Sequence, residues 1–92
     1  MFFEWDEDKN KSNLTKHGID FETAAFVFND DNRLEYFDFD HSVEEERFIT
    51  IGAINDVTIV VVVVYTVRTS AIRIISARKA TKQERNYYYG YS

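Results

Sequence analysis

"EERFITIGAINDVTIVVVVVYTVRTSAIRIISAR", Glu45 to Arg78, is the stretch that decides the fold. It contains three runs of strand-forming residues joined by two short turns, and the spacing predicts consecutive antiparallel strands over Glu46–Gly52, Val57–Arg68 and Ala71–Arg78. The middle run is nearly all β-branched from Val57 to Val67, the composition of a strand covered on both faces; at a sheet edge so long an apolar strand would invite aggregation. It is therefore placed in the centre of the sheet.

Working outward, "NDDNR" at 29–33 carries turn chemistry and introduces a weakly alternating strand from Leu34 to Asp40, ending at His41 and Ser42. Upstream, Asp6 is suited to cap a helix over 7–17, with Glu7 and Asp8 at its positive end, Lys16 and His17 at its negative end, and Gly18 beyond it. That helix is unusually polar. Asn10, Leu14 and His17 form one thin stripe with a single aliphatic residue, and Lys9, Asn13 and Lys16 form a polar stripe beside it, so it must dock through polar contacts or line a site. A second helix begins after Asp20, with Phe21, Ala24, Ala25 and Phe28 on one apolar face. Downstream, Thr81 and Glu84 make a capping box for a helix from about Lys82, which carries the aromatic tail. The whole reads as one α+β domain over 1–92: two N-terminal helices, a four-stranded antiparallel meander and a C-terminal helix.

Composition narrows the function. Hydrophobic residues make up 45% of the 92, ample for one core and outside the range of disordered chains. The absence of cysteine removes disulfides, thiolate metal sites and a cysteine nucleophile, and fits a reducing cytoplasm. No apolar run approaches the ~18 residues needed to span a bilayer, and no signal segment is evident at "MFFEWDEDKN". The net charge of −5 conceals a division: Met1–Glu46 has fourteen acidic and four basic residues, net −10, whereas Arg47–Ser92 has two acidic and seven basic, net +5. Such bipolarity suggests a cationic face for an anion such as nucleic acid, against the plainer reading of a solvated acidic surface.

Register assigns the cations to places. An even-numbered turn at Thr69 and Ser70 sets Arg68 opposite Ala71, Thr66 opposite Arg73 and Val62 opposite Ala77, so that Arg68 and Arg73 share a face. A four-residue loop at Ala53 to Asp56 sets Arg47 opposite Val62 on that face, with Lys79 near it. Arg78 points to the opposite face unless the strand ends or bulges first.

The sequence has no Gly-rich phosphate loop, no HExxH and no G-x-S-x-G elbow, and calls for no metal or cofactor. "DFDH" at 38–41 offers two carboxylates and an imidazole, but strand alternation turns both aspartates away from His41. An arginine-rich sheet face instead suits RNA cleavage by the substrate's own 2′-hydroxyl: a base removes the proton, cations stabilise the charged transition state, and an acid protonates the leaving oxygen. Arg47, Arg68, Arg73, Arg78 and Lys79 are candidate cations, and His17, Glu46 and Tyr65 are candidates for proton transfer. His17 equally suits a dipole partner at its helix end.

The blocks "FEWDEDKNKSNLTKHGIDFETAAFVFND", "DHSVEEERFITIG" and "IRIISARKATKQER", in this order, resemble the BrnT toxins of bacterial type II toxin–antitoxin pairs over nearly the whole chain. The resemblance implies a RelE- and ParE-like fold, a ribonuclease that arrests translation, and neutralisation by a BrnA antitoxin whose ribbon-helix-helix domain binds DNA. It places Lys16, His17, Arg47, Arg68, Arg73, Arg78 and Lys79 at matching positions. In "VVVYTVRT" the family more usually carries His and Glu where Tyr65 and Val67 stand, with Arg68 retained. This leaves two expectations: an RNA-cutting toxin using Tyr65 or His17 with Arg68 and Arg73, and an inactive homologue serving as an antitoxin-binding module in operon autoregulation.

Overall fold

The computed structural model describes residues 2–54 and 59–90. In chain order it has β1 (Phe2–Glu4), α1 (Glu7–His17), α2 (Phe21–Ala24) running into a 3-10 turn (Ala25–Asn29), β2 (Leu34–Phe37), a second 3-10 turn (Phe39–His41), β3 (Phe48–Ile54), β4 (Ile59–Arg68), β5 (Ala71–Lys79) and α3 (Lys82–Tyr89). The sheet order is β1-β5-β4-β3-β2. Strands β2 to β5 form the expected antiparallel meander, but the sheet has five strands rather than four, because Phe2–Glu4 adds parallel to β5 with Phe3 beside Ile72 and Glu4 beside Arg73. Three residues are too few to show a period, so β1 carries no sequence signal.

Central β4 is buried on both faces, as its β-branched composition requires. On one face Val61, Val63, Tyr65, Ile74 and Ala77 meet Phe21, Ala24 and Val27, forming the main core. On the other Ile51, Val60, Val62 and Ala80 form a smaller cluster completed by Ile49 and by Tyr88 of α3. The second helix departs from its predicted face: after Ala24 the chain tightens to 3-10 geometry, so burial follows Phe21, Ala24 and Val27, every third residue, and Phe28 is only half-buried. This tightening leaves Gly52 of β3 no room for a side chain, since a Cβ there would lie 2.7 Å from Val27 Cγ2.

The polar docking expected of α1 is realised, with one asparagine from each stripe carrying it. Leu14 is 48% exposed, whereas Asn13 is 7% exposed and bonds to β5 as a strand would. Its Nδ2 donates to Ala77 O at 2.7 Å and to Ile19 O at 2.9 Å, while its Oδ1 accepts from Ala77 N at 3.1 Å. β1 pairs no further than Arg73, so Asn13 satisfies an edge that β1 leaves open. Asn10 similarly accepts the Phe21 N–H at 2.8 Å, and the caps at Asp6 and Gly18 are those expected.

Two register findings decide where the arginines point. In β3–β4 the pairs are Phe48–Tyr65, Ile51–Val62 and Ile54–Ile59, so Val62 faces Ile51 and not Arg47. β3 runs two residues further than expected, to Ile54, and β4 is described from Ile59; residues 55–58, which include part of the predicted turn and the first two residues of the predicted central strand, lie outside the described set. The displacement is even, so Arg47 keeps the predicted face. In β4–β5, Arg68–Ala71 and Thr66–Arg73 pair as expected, but a bulge between Tyr65–Ile74 and Val64–Ser76 displaces the pairs beyond it by one residue: Val62 pairs with Arg78, not Ala77.

Candidate active site: an arginine cleft on the second sheet face

The bulge at Ile75 returns Arg78 to the face that carries Arg68 and Arg73. Arg78 and Arg47 thereby reach a single cleft of about 420 Å³, floored by Ile49, Val62, Val64 and Ser76 and walled by Tyr36, Asp38, His41 and Glu84. Arg47 comes to it through a pinned loop. Between β2 and β3, Asp38 N donates to Arg47 O at 2.9 Å, Arg47 N donates to Ser42 Oγ at 2.9 Å, and Ser42 Oγ donates to Asp38 O at 2.6 Å. The ten residues 38–47 are thus closed on themselves, with His41 and Arg47 on the same wall. Arg47 Nε is buried without a hydrogen-bond partner among the described residues, a donor left for something else.

The second 3-10 turn explains why alternation misjudged "DFDH". The strand ends at Phe37, and a turn of three residues brings positions i and i+3 together, so His41 Nδ1 lies 3.1 and 3.0 Å from the two carboxylate oxygens of Asp38. Asp38 is 11% exposed at its side chain and His41 68%. Asp40 lines the same cleft, but among the described residues no three ligating side chains are grouped to hold a metal ion.

Opposite this wall stands α3. Glu84 grips Arg78 in a two-toothed ion pair, Nη1–Oε1 at 2.7 Å and Nη2–Oε2 at 2.9 Å, and also accepts the Thr81 N–H at 2.8 Å. The capping box read from the sequence is present, and its carboxylate has this second partner. Those bonds, Arg78 foremost, hold the Glu84 carboxyl down at about 2 and raise Arg78 in turn. Burial, then the charge of Glu84 and the neighbouring Tyr87, push the Tyr36 phenol up, so it stays protonated in the cleft. Asp30 anchors the far end of α3 by accepting the Tyr88 hydroxyl and the Ala53 N–H. Burial works to raise the Asp30 carboxyl, but these bonds outweigh it and hold it low.

The remaining residues singled out in the sequence divide. Arg68 and Arg73 continue the cleft face, each facing a carboxylate: Glu45 at 3.7 Å from Arg68 and Glu4 at 3.0 Å from Arg73. Tyr65 is on the other face, 5% exposed against Phe28 and Phe48, its hydroxyl donating to Glu35 at 3.1 Å. Burial and the Glu35 charge push that phenol up to about 12, so at neutral pH it holds its proton. Lys79 pairs with Val61 and shares the Tyr65 side of the sheet, while Lys16 and His17 occupy the exposed last turn of α1. Glu46 is exposed just before Arg47. None of these five lines the cleft.

A family model described as "Ribonuclease toxin, BrnT, of type II toxin-antitoxin system" matches residues 5–84. Comparison with curated proteins returns no match. The matched span takes in both cleft walls, from Tyr36 and His41 to Arg78 and Glu84. No helix among the described residues is long and apolar enough to cross a membrane.

Proposed function

Because this chain belongs to the BrnT family of ribonuclease toxins of type II toxin–antitoxin systems, we propose that its arginine cleft cuts RNA without a metal, by attack of the 2′-hydroxyl on the adjacent phosphate. The observation that carries this reading is the convergence of Arg47 and Arg78 on one cleft through a pinned loop and a bulge. Guanidinium groups supply fixed positive charge and paired donors for the non-bridging phosphate oxygens, and they strengthen their hold as charge builds in the transition state. Arg78 exchanges the Glu84 carboxylate for phosphate, while Arg73 and Arg68 receive phosphates further along the strand. Tyr65, His17, Lys16 and Lys79 take no part in this reading.

As a type II toxin the protein has an antitoxin partner. We assign to that partner the BrnA type, with DNA binding confined to its ribbon-helix-helix domain; a toxin of net charge −5 is poorly suited to bind duplex DNA itself. mRNA in the cytoplasm is the target, and loss of message arrests translation.

The test is cleavage of RNA in EDTA by the wild type beside an Arg47→Ala/Arg78→Ala variant. The expected products end in a 2′,3′-cyclic phosphate and a 5′-hydroxyl, with a loss of roughly 10²-fold or more in the variant. Equal cleavage by both proteins would mark a contaminant and reject the reading. A second reading, an inactive homologue that binds antitoxin for operon autoregulation, is favoured by one observation: carboxylates already hold Arg68, Arg73 and Arg78. Growth arrest on expression without antitoxin contradicts it.

A further inference from the structure

We propose that His41 is the general base of this cleft and that Asp38 is its positioning residue. The assignment rests on the ribonuclease reading and supplies the proton acceptor that Tyr65 cannot be. An ionised carboxylate only accepts hydrogen bonds, so the contacts at 3.0 and 3.1 Å place the hydrogen of a neutral imidazole on Nδ1 and leave the lone pair on Nε2. Asp38 is itself fixed by its backbone bonds to Arg47 and Ser42, so the ring is held by the same loop that presents Arg47. His41 is open to substrate and lines the cleft that Arg47 and Arg78 enter.

In the cleavage step His41 Nε2 takes the proton of the 2′-hydroxyl, the 2′-oxygen forms a bond to phosphorus, and the bond from phosphorus to the 5′-oxygen breaks. The leaving 5′-oxygen takes a proton from water, the imidazolium returns its own to solvent, and the products are a 2′,3′-cyclic phosphate and a 5′-hydroxyl. Asp38 stabilises the imidazolium formed on the way, and Arg47 faces the phosphate. Other charged or titratable groups facing this space are Asp40 and Arg47 from the same loop, Tyr36 from β2, Arg78 from β5 and Glu84 from α3. Glu44 and Glu45 approach His41 from the other side of the loop.

The experiment measures RNA cleavage in EDTA across pH for wild type, His41→Gln and Asp38→Asn, each checked for wild-type folding by its NMR amide spectrum. His41→Gln is expected to lower the rate about 10²–10⁴-fold and to abolish the acidic limb of the pH–rate profile. Asp38→Asn, which no longer enforces the tautomer, is expected to cost at least about tenfold and to move that limb. If wild type and His41→Gln cut equally with the same profile, the assignment of His41 is overturned while the ribonuclease reading stands. If the wild type leaves RNA intact, the ribonuclease reading falls and this assignment with it.

Discussion

Replacing Asn13 by alanine probes how the fold aims Arg78. Asn13 is buried and makes three hydrogen bonds, two of them to the backbone of Ala77, next to Arg78 and just past the bulge. Alanine leaves the Ala77 N–H and two carbonyl oxygens unpaired. A buried polar group without a partner costs about 1–3 kcal/mol, and partial relaxation toward water at the sheet edge brings the sum to about 3 kcal/mol. For a domain of this size that is a Tm lower by roughly 12–24 °C. The assay is thermal unfolding together with hydrogen exchange at the Ala77 amide, which loses its protection in the variant. A cost below about 0.5 kcal/mol with Ala77 still protected would refute the view that Asn13 serves as the missing strand.

Glu84→Gln tests the α3 clamp. The folded carboxyl titrates at about 2, below an ordinary glutamate, so its contribution is complete above the unfolded value of about 4.3 and is lost as pH falls through the folded one. Solvent screening leaves about 1–2 kcal/mol at pH 7, and the stability gap to the variant should shrink by about half at pH 3 in urea unfolding. Tyr65→Phe removes the bond to Glu35 for about 1 kcal/mol and leaves RNA cleavage unchanged within about twofold; a much larger loss of rate would move the chemistry to the other sheet face. Gly52→Ala forces a methyl toward Val27 and is expected to cost about 1–3 kcal/mol, read as a lowered Tm.

The meander, the caps of α1 and α3 and the common face of Arg68 and Arg73 were legible because each rests on local chemistry: β-branched runs, a cap residue, a two-residue turn. The site was legible only in part. Arg78 depended on a bulge in the pairing of β5 with β4, which has no marker in "IRIISARK". His41 was set aside because alternation was carried beyond Phe37, where the chain had already turned into 3-10 geometry. The Asp-x-x-His spacing in "DFDH" was the available signal, since three residues make one such turn. Tyr65 was a proton-transfer candidate by its titratable side chain as well as by its family position, whereas its place in the core comes from pairing with Phe48 and Ile74.

The most direct test is to titrate isotope-labelled protein with a short RNA whose 2′-hydroxyls are methylated, so that it binds without being cut, and to follow side-chain nitrogen resonances. If RNA occupies the arginine cleft, the largest shifts fall at Arg47 Nε, Arg78 Nε and the His41 ring, with Glu84 released from Arg78. Shifts centred instead on Lys16, His17 and the Tyr65 side of the sheet would contradict that placement.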